Sequence, residues 1–174
     1  MLIWHQTRNG LTVTGLGCQD LLALPMMGFF ASRQCPGSAI RAAMDWALQQ
    51  ARSKNAVISG FHSPLEQSVL AVLIEARSPV VAVLARPVEC ARLPPEWIEP
   101  LTQGLMAVVS VTTAVMRLTG AVATARNNFV AQLVSQIVVS HTSPGGALEG
   151  QCLQWRGQGR QVILLPSEVL PNCC

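Results

Sequence analysis

The sequence predicts an α/β protein with a Rossmann-like three-layer architecture, in which a mainly parallel sheet carries helices on both faces. Three observations lead to this prediction. Six short, largely apolar runs recur along the chain, as strands covered on both faces require. Segments with helical periodicity separate the runs, which favours right-handed crossovers between parallel strands. The 174 residues are 50% hydrophobic, enough for one well-buried core.

The predicted strands are the six apolar runs, preceded by a hairpin. The runs cover residues 26–30, 56–59, 80–85, 105–111, 136–141 and 161–166. The first 24 residues do not follow the alternation and are predicted to form two short strands about Asn9-Gly10, a dipeptide typical of tight hairpin turns. We therefore divide the chain into an N-terminal extension, residues 1–24, and a Rossmann-like domain, residues 25–174.

Helices are predicted between the runs from apolar spacing and start signals. Helix 38–52 has Ser38 as its candidate N-cap, and helix 64–76 begins with Ser63, Pro64 and Glu66, a capping residue followed by proline and a first-turn acid. Each of these two helices is expected to bury one face. The remaining helical segments are 94–104, 120–135 and 145–159.

Composition excludes several classes of protein. Twelve basic residues against nine acidic ones give a net charge of +3, too mild for strong nonspecific attraction to nucleic acid. The longest uncharged apolar stretch, 104–116, is too short to span a bilayer, and the N-terminus lacks the pattern of a signal peptide. The six cysteines are scattered without a Cys-x-x-Cys pair, which predicts neither a metal site nor a disulfide framework. We expect a soluble cytoplasmic protein without a membrane partner.

The candidate site lies in the loops that follow the parallel strands, because ligands bind outside the carboxyl ends of such strands. These loops are 31–38, 59–66, 85–96 and 141–149. We expect the strands before the second and fourth loops to be adjacent. The amides of Gly145, Gly146 and Ala147 then face a cleft shared with Gly60 and the start of helix 64–76, and the cleft favours an anion. Glycines at such corners are also required by backbone geometry alone. The chain has no Gly-x-Gly-x-x-Gly after its first strand and no Walker lysine, so no cofactor is expected.

The order of these segments resembles the Rossmann-like domain of the DNA-processing protein A (DprA/Smf) family, in the superfamily that also contains the Lonely-guy nucleotide hydrolases. The resemblance covers about residues 25–166. Its most specific part is Arg126-Asn127 before the apolar helix "FVAQLVS", then the strand "IVVSH", then Gly145-Gly146-Ala147 opening a helix. The resemblance implies binding of single-stranded DNA.

The chain departs from the family pattern at several basic positions. Ser63 and Pro64 stand where the family has an Arg-Gly pair, and Gln34 replaces a basic residue next to the retained Arg33. Ala125 and Asn128 stand where arginine is common, and Glu66 occupies the position of the family's acid. These departures remove phosphate contacts, on which nucleic-acid affinity depends.

Three functions remain open from the sequence. The first is a non-enzymatic module that binds a nucleotide or single-stranded DNA, with Arg33 and Arg126 as cations. The second is a Lonely-guy-type hydrolase using Glu149 or Glu66, and the third is a degenerate scaffold that dimerises, with helix 120–134 at a homodimer interface. We prefer the first and assign no catalytic residue. The predicted ligand-binding residues are Ser32, Arg33, Ser59, Gly60, Ser63, Arg126, Asn127, Ser143, Gly145, Gly146 and Ala147. Of the two histidines beside the loops, His141 is preferred over His62.

Overall fold

The computed structural model describes residues 2–8, 10–112 and 119–166. Within these ranges the chain forms eight strands and five α-helices. The strands are β1 (Trp4–Arg8), β2 (Leu11–Gly17), β3 (Met26–Phe30), β4 (Ala56–Ser59), β5 (Val80–Val83), β6 (Met106–Ser110), β7 (Gln136–Val139) and β8 (Val162–Leu164). The helices are α1 (Gly37–Ser53), α2 (Pro64–Glu75), α3 (Ile98–Thr102), α4 (Gly120–Leu133) and α5 (Ala147–Gly157). Short 3₁₀ turns span Gln19–Ala23, Val88–Cys90 and Pro95–Trp97.

All eight strands join one sheet in the order β1-β2-β6-β5-β4-β3-β7-β8. The six strands from β6 to β8 pair in parallel, while β1 with β2 and β2 with β6 are antiparallel. The predicted fold class and the N-terminal hairpin are therefore confirmed. The hairpin extends the sheet at its β6 edge.

Helices cover both faces of the sheet because alternate strand residues point to opposite sides. Val57 packs in the cluster that includes α1 and α2, whereas its neighbour Ile58 packs in the cluster that includes α4 and α5. Trp46 of α1 stacks on Phe29, and on the other face the ring of Trp155 lies 5.0 Å from that of Phe30. Helices α1 and α2 each bury one apolar face, as predicted.

The two helix starts that the sequence predicts have different outcomes. In α2 the Ser63 side chain accepts from the Glu66 N–H and Pro64 is the first helical residue, which confirms the predicted start. In α1 the predicted cap is wrong: Pro36, in an extended conformation, precedes the first helical residue, Gly37. Ser38 therefore lies inside the first turn, where no side chain caps the helix.

Strand β3 lies between β4 and β7, and this position decides where the loops meet. The chain proceeds from β3 to β4, β5 and β6, and then returns through α4 to pair β7 with the opposite edge of β3. The expectation that β4 and β7 are adjacent is thus wrong, because the two pair with opposite edges of β3. The loops after β3, β4 and β7 instead meet at the point where the strand order reverses, the usual ligand position in such sheets.

Candidate functional site

A cleft of about 450 Å³ opens at this reversal of strand order. It is bounded by the loops after β3, β4 and β7 and by the first halves of α4 and α5. Eight of the predicted ligand-binding residues line it: Ser32, Arg33, Ser63, Arg126, Asn127, Ser143, Gly146 and Ala147. The loops after β3 and β7 are joined directly, since the Ser143 N–H donates to Ser32 Oγ at 2.9 Å.

Three predicted residues, Ser59, Gly60 and Gly145, are not among those that line the cleft. Ser59 is completely buried, and its hydroxyl accepts the N–H of Phe61 at 3.2 Å. This bond supports Phe61, a non-glycine residue at a φ of 45°. Gly145 is exposed and turns the chain at a φ of 69°, a conformation that favours glycine. Both residues shape loops and leave ligand contact to their neighbours.

Gly60 makes room for the main cation of the cleft. A Cβ atom on Gly60 would lie 2.4 Å from Cζ of Arg126, closer than any real contact. Arg126 is only 8% exposed, and its Nε and Nη2 donate to Oδ1 of Asn127 at 3.2 and 2.9 Å. No described residue accepts from its third nitrogen, Nη1. Burial lowers the pKa of Arg126, an effect opposed by the charge of Glu66.

A polar network behind Arg126 connects α4 to α5. The Asn127 amide donates to Gln151 Oε1 at 3.0 Å, and the Gln151 amide donates to Asn128 Oδ1 at 3.1 Å. The indole of Trp155 donates to the same Asn128 oxygen at 2.9 Å. Neither Gln151 nor Asn128 was predicted as a site residue. The signal was present in the Asn127-Asn128 pair, since two amides in a largely apolar helix need buried partners.

Other cations gather at the mouth of the cleft around His62. Arg33 and His62 are exposed and both line it. The pKa of His62 is lowered, first by partial burial and then by the charges of Arg126, Arg33 and Arg86. Arg86 follows β5 and was not predicted as a site residue. The preference for His141 was wrong, because His141 contributes its carbonyl oxygen to the Ser32 N–H and does not line the cleft.

The arginines of the cleft form no close ion pair with a carboxylate of the described residues. Across residues 2–8, 10–112 and 119–166, the one ion pair within 4.0 Å joins Arg77 to Glu99, at 3.8 Å. Glu66 lines the cleft, but burial of this carboxyl group raises its pKa, opposed by three backbone N–H groups and by the charge of Arg126. Glu149 lies outside the cleft and accepts the Gly145 N–H at 2.7 Å. Arg33 and Arg126 therefore remain available to an external anion.

Gly145 and Gly146 turn the chain between β7 and α5, and their N–H groups are not available to a ligand in the cleft. The Gly145 N–H is taken by Glu149 and the Gly146 N–H by the carbonyl of Ser143, at 2.9 Å. The expectation that both amides face the cleft is therefore wrong. Gly146 is the N-cap of α5 and offers no side chain, so the N–H groups of Ala147 and Leu148 have no acceptor among the described residues. Both residues line the cleft, which leaves the positive end of α5 open to it.

The described residues contain neither a metal-ligating cluster nor a helix that could span a membrane. In the part of the chain that the structure describes, no three His, Cys, Asp or Glu side chains lie together as a metal ion would require. No helix in the same ranges is both long and apolar enough to cross a bilayer.

Comparison with known proteins identifies a family for this chain and solved structures of similar fold. The sequence matches the family model described as DNA recombination-mediator protein A over residues 8–173. This range includes every residue that lines the cleft. The curated protein sequences give no match.

Solved structures are similar over most of the chain. The X-ray structure of DNA processing protein A from Streptococcus pneumoniae is 17% identical, with a TM-score of 0.74 over 91% of this chain and 56% of that chain. The chain thus spans about half the length of that protein. DNA processing protein A from Helicobacter pylori, whose structure concerns a single-stranded DNA binding mode, is 10% identical, with a TM-score of 0.77 over 97% and 82%. The Moco carrier protein from Chlamydomonas reinhardtii is 15% identical, with a TM-score of 0.58 over 84% and 78%. The TM-scores establish a shared fold, and at identities this low the similarity establishes nothing beyond the fold.

Proposed function

The chain belongs to the DNA recombination-mediator protein A family, and from this premise we propose that it binds single-stranded DNA without catalysing a reaction. One phosphate of the strand enters the cleft between Arg126 and the start of α5. The observation that carries the proposal is the buried guanidinium of Arg126, which lies in the cleft without an ion-pair partner within 4.0 Å among the described residues. A buried, unpaired cation is costly and is stabilised by an anionic ligand.

The contacts available to a phosphate are of two kinds. Arg126 lines the cleft and has one guanidinium nitrogen, Nη1, with no acceptor among the described residues; Ala147 and Leu148 line the same cleft. The free N–H groups of these two residues belong to the first turn of α5, where the helix dipole favours negative charge. Charge-assisted bonds from both sides favour phosphate over neutral ligands.

A strand rather than an isolated phosphate is supported by the arginines at the mouth of the cleft. Arg33 and His62 are exposed at its mouth, and Arg86 is close enough to lower the pKa of His62. In this proposal Arg33 and Arg86 contact phosphates on either side of the one in the cleft. A mononucleotide fits the same cleft and is the alternative ligand. Neither mode of binding requires a metal or a cofactor.

Catalysis by the two candidate carboxylates is not favoured by their contacts. Glu149 holds the Gly145 amide outside the cleft, and both oxygens of Glu66 accept backbone N–H groups. A general base needs a free oxygen that reaches the attacking water. We place the protein in the cytoplasm. We also propose a homodimer as its assembly, and light scattering that shows only monomer at high concentration would reject it.

Fluorescence anisotropy with a labelled oligothymidylate tests the proposed function. Arg33→Ala removes an exposed cation, so the fold is retained, and we expect affinity to fall roughly tenfold, or 1.4 kcal/mol. Each lost phosphate contact also reduces the slope of log affinity against log salt by about 0.7. Arg52→Ala, at the exposed end of α1, is the matched control and leaves binding unchanged.

Three outcomes would overturn the proposal. If the wild type binds neither oligonucleotide nor mononucleotide, the scaffold interpretation is preferred. If it binds only mononucleotides and releases a free base, detected by chromatography, the protein is a hydrolase. If Arg33→Ala and Arg52→Ala weaken binding equally, the interaction is nonspecific.

A further inference from the structure

The carboxylate of Glu66 lies at the start of α2 and accepts three backbone N–H groups. Its Oε1 accepts from Ala31, at 3.1 Å, and its Oε2 accepts from His62 and Ser63, at 2.8 and 3.1 Å. The residue is only 5% exposed. A capping box accounts for the bond from Ser63 alone. The bonds from Ala31 and His62 extend beyond the helix and join the ends of two strands.

This cluster of N–H groups is the kind of site that a phosphate occupies in other proteins. Here the anion is supplied by the chain itself. The start of α2 is consequently filled, while the start of α5 in the same cleft is capped by a glycine and leaves the Ala147 and Leu148 N–H groups open. The cleft therefore contains two helix N-termini, of which one is available.

We propose that Glu66 is the positioning residue of the cleft: an internal anion that holds the loops after β3 and β4 together and directs the external phosphate to α5. This proposal rests on the proposed function for its second part. The first part concerns the free protein alone and is tested separately.

We call Glu66 with its three bonds, to Ala31, His62 and Ser63, the clamp. The positions of neighbouring residues connect this clamp to ligand binding. Ser32 and Arg33 follow Ala31 directly, and both line the cleft. His62 also lines the cleft and is itself one of the clamped residues. The charge of Glu66 further acts on the guanidinium of Arg126. Removal of the carboxylate thus releases the loops after β3 and β4 from each other. It also removes one electrostatic interaction that acts on Arg126.

Chemical rescue of Glu66→Ala by acetate is the most direct test. Truncation to alanine leaves space for a methyl group and a carboxylate, so acetate replaces the lost atoms while formate lacks the methyl group. We expect the amide proton resonances of Ala31, His62 and Ser63 to move upfield in the variant and to return with acetate. Oligothymidylate affinity should fall roughly tenfold and recover with acetate, but not with sodium chloride of equal ionic strength.

Glu149→Ala is the matched control, because its carboxylate also accepts a backbone N–H at the start of a helix but makes only that one hydrogen bond to the described residues. We expect a change confined to the Gly145 amide and no effect of acetate on affinity. Glu66→Gln keeps the size of the side chain but sets an NH₂ donor against one of the N–H groups. Its expected signature is the upfield shift of the Ala31 resonance, with those of His62 and Ser63 retained. This signature applies even where Glu66→Ala does not fold.

The results separate failure of this proposal from failure of the proposed function. Unchanged amide resonances in both Glu66 variants would overturn the clamp, whether or not DNA binds. Amide shifts with acetate rescue, in a protein that binds no nucleic acid, would support the clamp and reject DNA binding. Amide shifts with unchanged DNA affinity would show that the clamp does not position the ligand, which overturns the proposal.

Discussion

Replacement of Gly60 by alanine tests whether Arg126 occupies its observed position. The added Cβ would lie 2.4, 2.5 and 2.8 Å from Cζ, Nε and Nη1 of Arg126, so the guanidinium must move by about 1 Å or more to reach ordinary contact distance. Gly60 itself has no positive φ, and alanine adds no backbone strain there. The whole effect of the substitution therefore acts through Arg126.

The magnitude follows from the bonds that Arg126 would lose. Two donations to Asn127 Oδ1 hold the guanidinium, and hydrogen bonds to charged groups contribute about 1.5–3 kcal/mol each. Because water in the cleft replaces part of this, we expect the free energy of unfolding to fall by about 1–3 kcal/mol. The oligonucleotide affinity should fall by roughly tenfold or more, since the cation is displaced from the position in which it is proposed to bind phosphate.

Urea denaturation and fluorescence anisotropy measure the two effects, and a double-mutant cycle assigns them. Gly37→Ala is the matched control, because a Cβ there meets nothing within 4 Å and φ is not positive. In the Arg126→Ala background, Gly60→Ala should be nearly neutral, since the atoms it displaces are gone. Equal effects of Gly60→Ala with and without Arg126 would refute the reasoning, as would wild-type stability and affinity in the single variant.

Three further predictions concern His62 and the turn before α5. Partial burial, and then the charges of Arg126, Arg33 and Arg86, lower the pKa of His62 below its ordinary value of 6.5. The free energy of unfolding should therefore decrease as the pH falls below 6.5, and His62→Gln should remove this contribution. A bound phosphate should raise the same pKa, so DNA affinity increases as the pH falls through that range; nuclear magnetic resonance titration of His62 with and without oligonucleotide checks the sign. Gly145→Ala, at a φ of 69°, should cost about 1 kcal/mol of stability in thermal denaturation, whereas Gly150→Ala inside α5 should add about 0.5–1 kcal/mol.

The strands and helices could be predicted because their signals are local. An apolar run such as β5 indicates a strand covered on both faces, and Ser63-Pro64 before Glu66 indicates a helix start. Strand order has no comparable local signal. The pairing of β3 with β7 joins segments more than 100 residues apart, so the insertion of β3 between β4 and β7 was not predictable from the loops themselves.

The composition of the site was predicted better than its contacts. Arg33, Arg126 and Ser143 were identified from loop position and family resemblance, and all three line the cleft. The roles of the glycines depend on what their missing Cβ atoms would meet: Arg126 for Gly60, and the carbonyl of Ser143 for Gly146. The distance from Gly60 to Arg126 joins residues far apart in the chain and is a property of the folded state alone.

The replacement of the family's Arg-Gly pair by Ser63-Pro64 alters more than the charge of the loop. Proline has no N–H, and the Ser63 hydroxyl takes the N–H of Glu66, so two of the first three helical positions of α2 are withdrawn from any ligand. Glu66 also accepts the N–H groups of His62 and Ser63, which directly precede the helix. Anion binding is consequently left to α5, whose cap is a glycine, and to arginines that reach the cleft from other elements. In this chain the Ser63-Pro64 pair is thus accompanied by a helix start whose N–H groups are largely taken, which leaves Arg126 and the Ala147 amide as the contacts on which the proposed DNA binding depends.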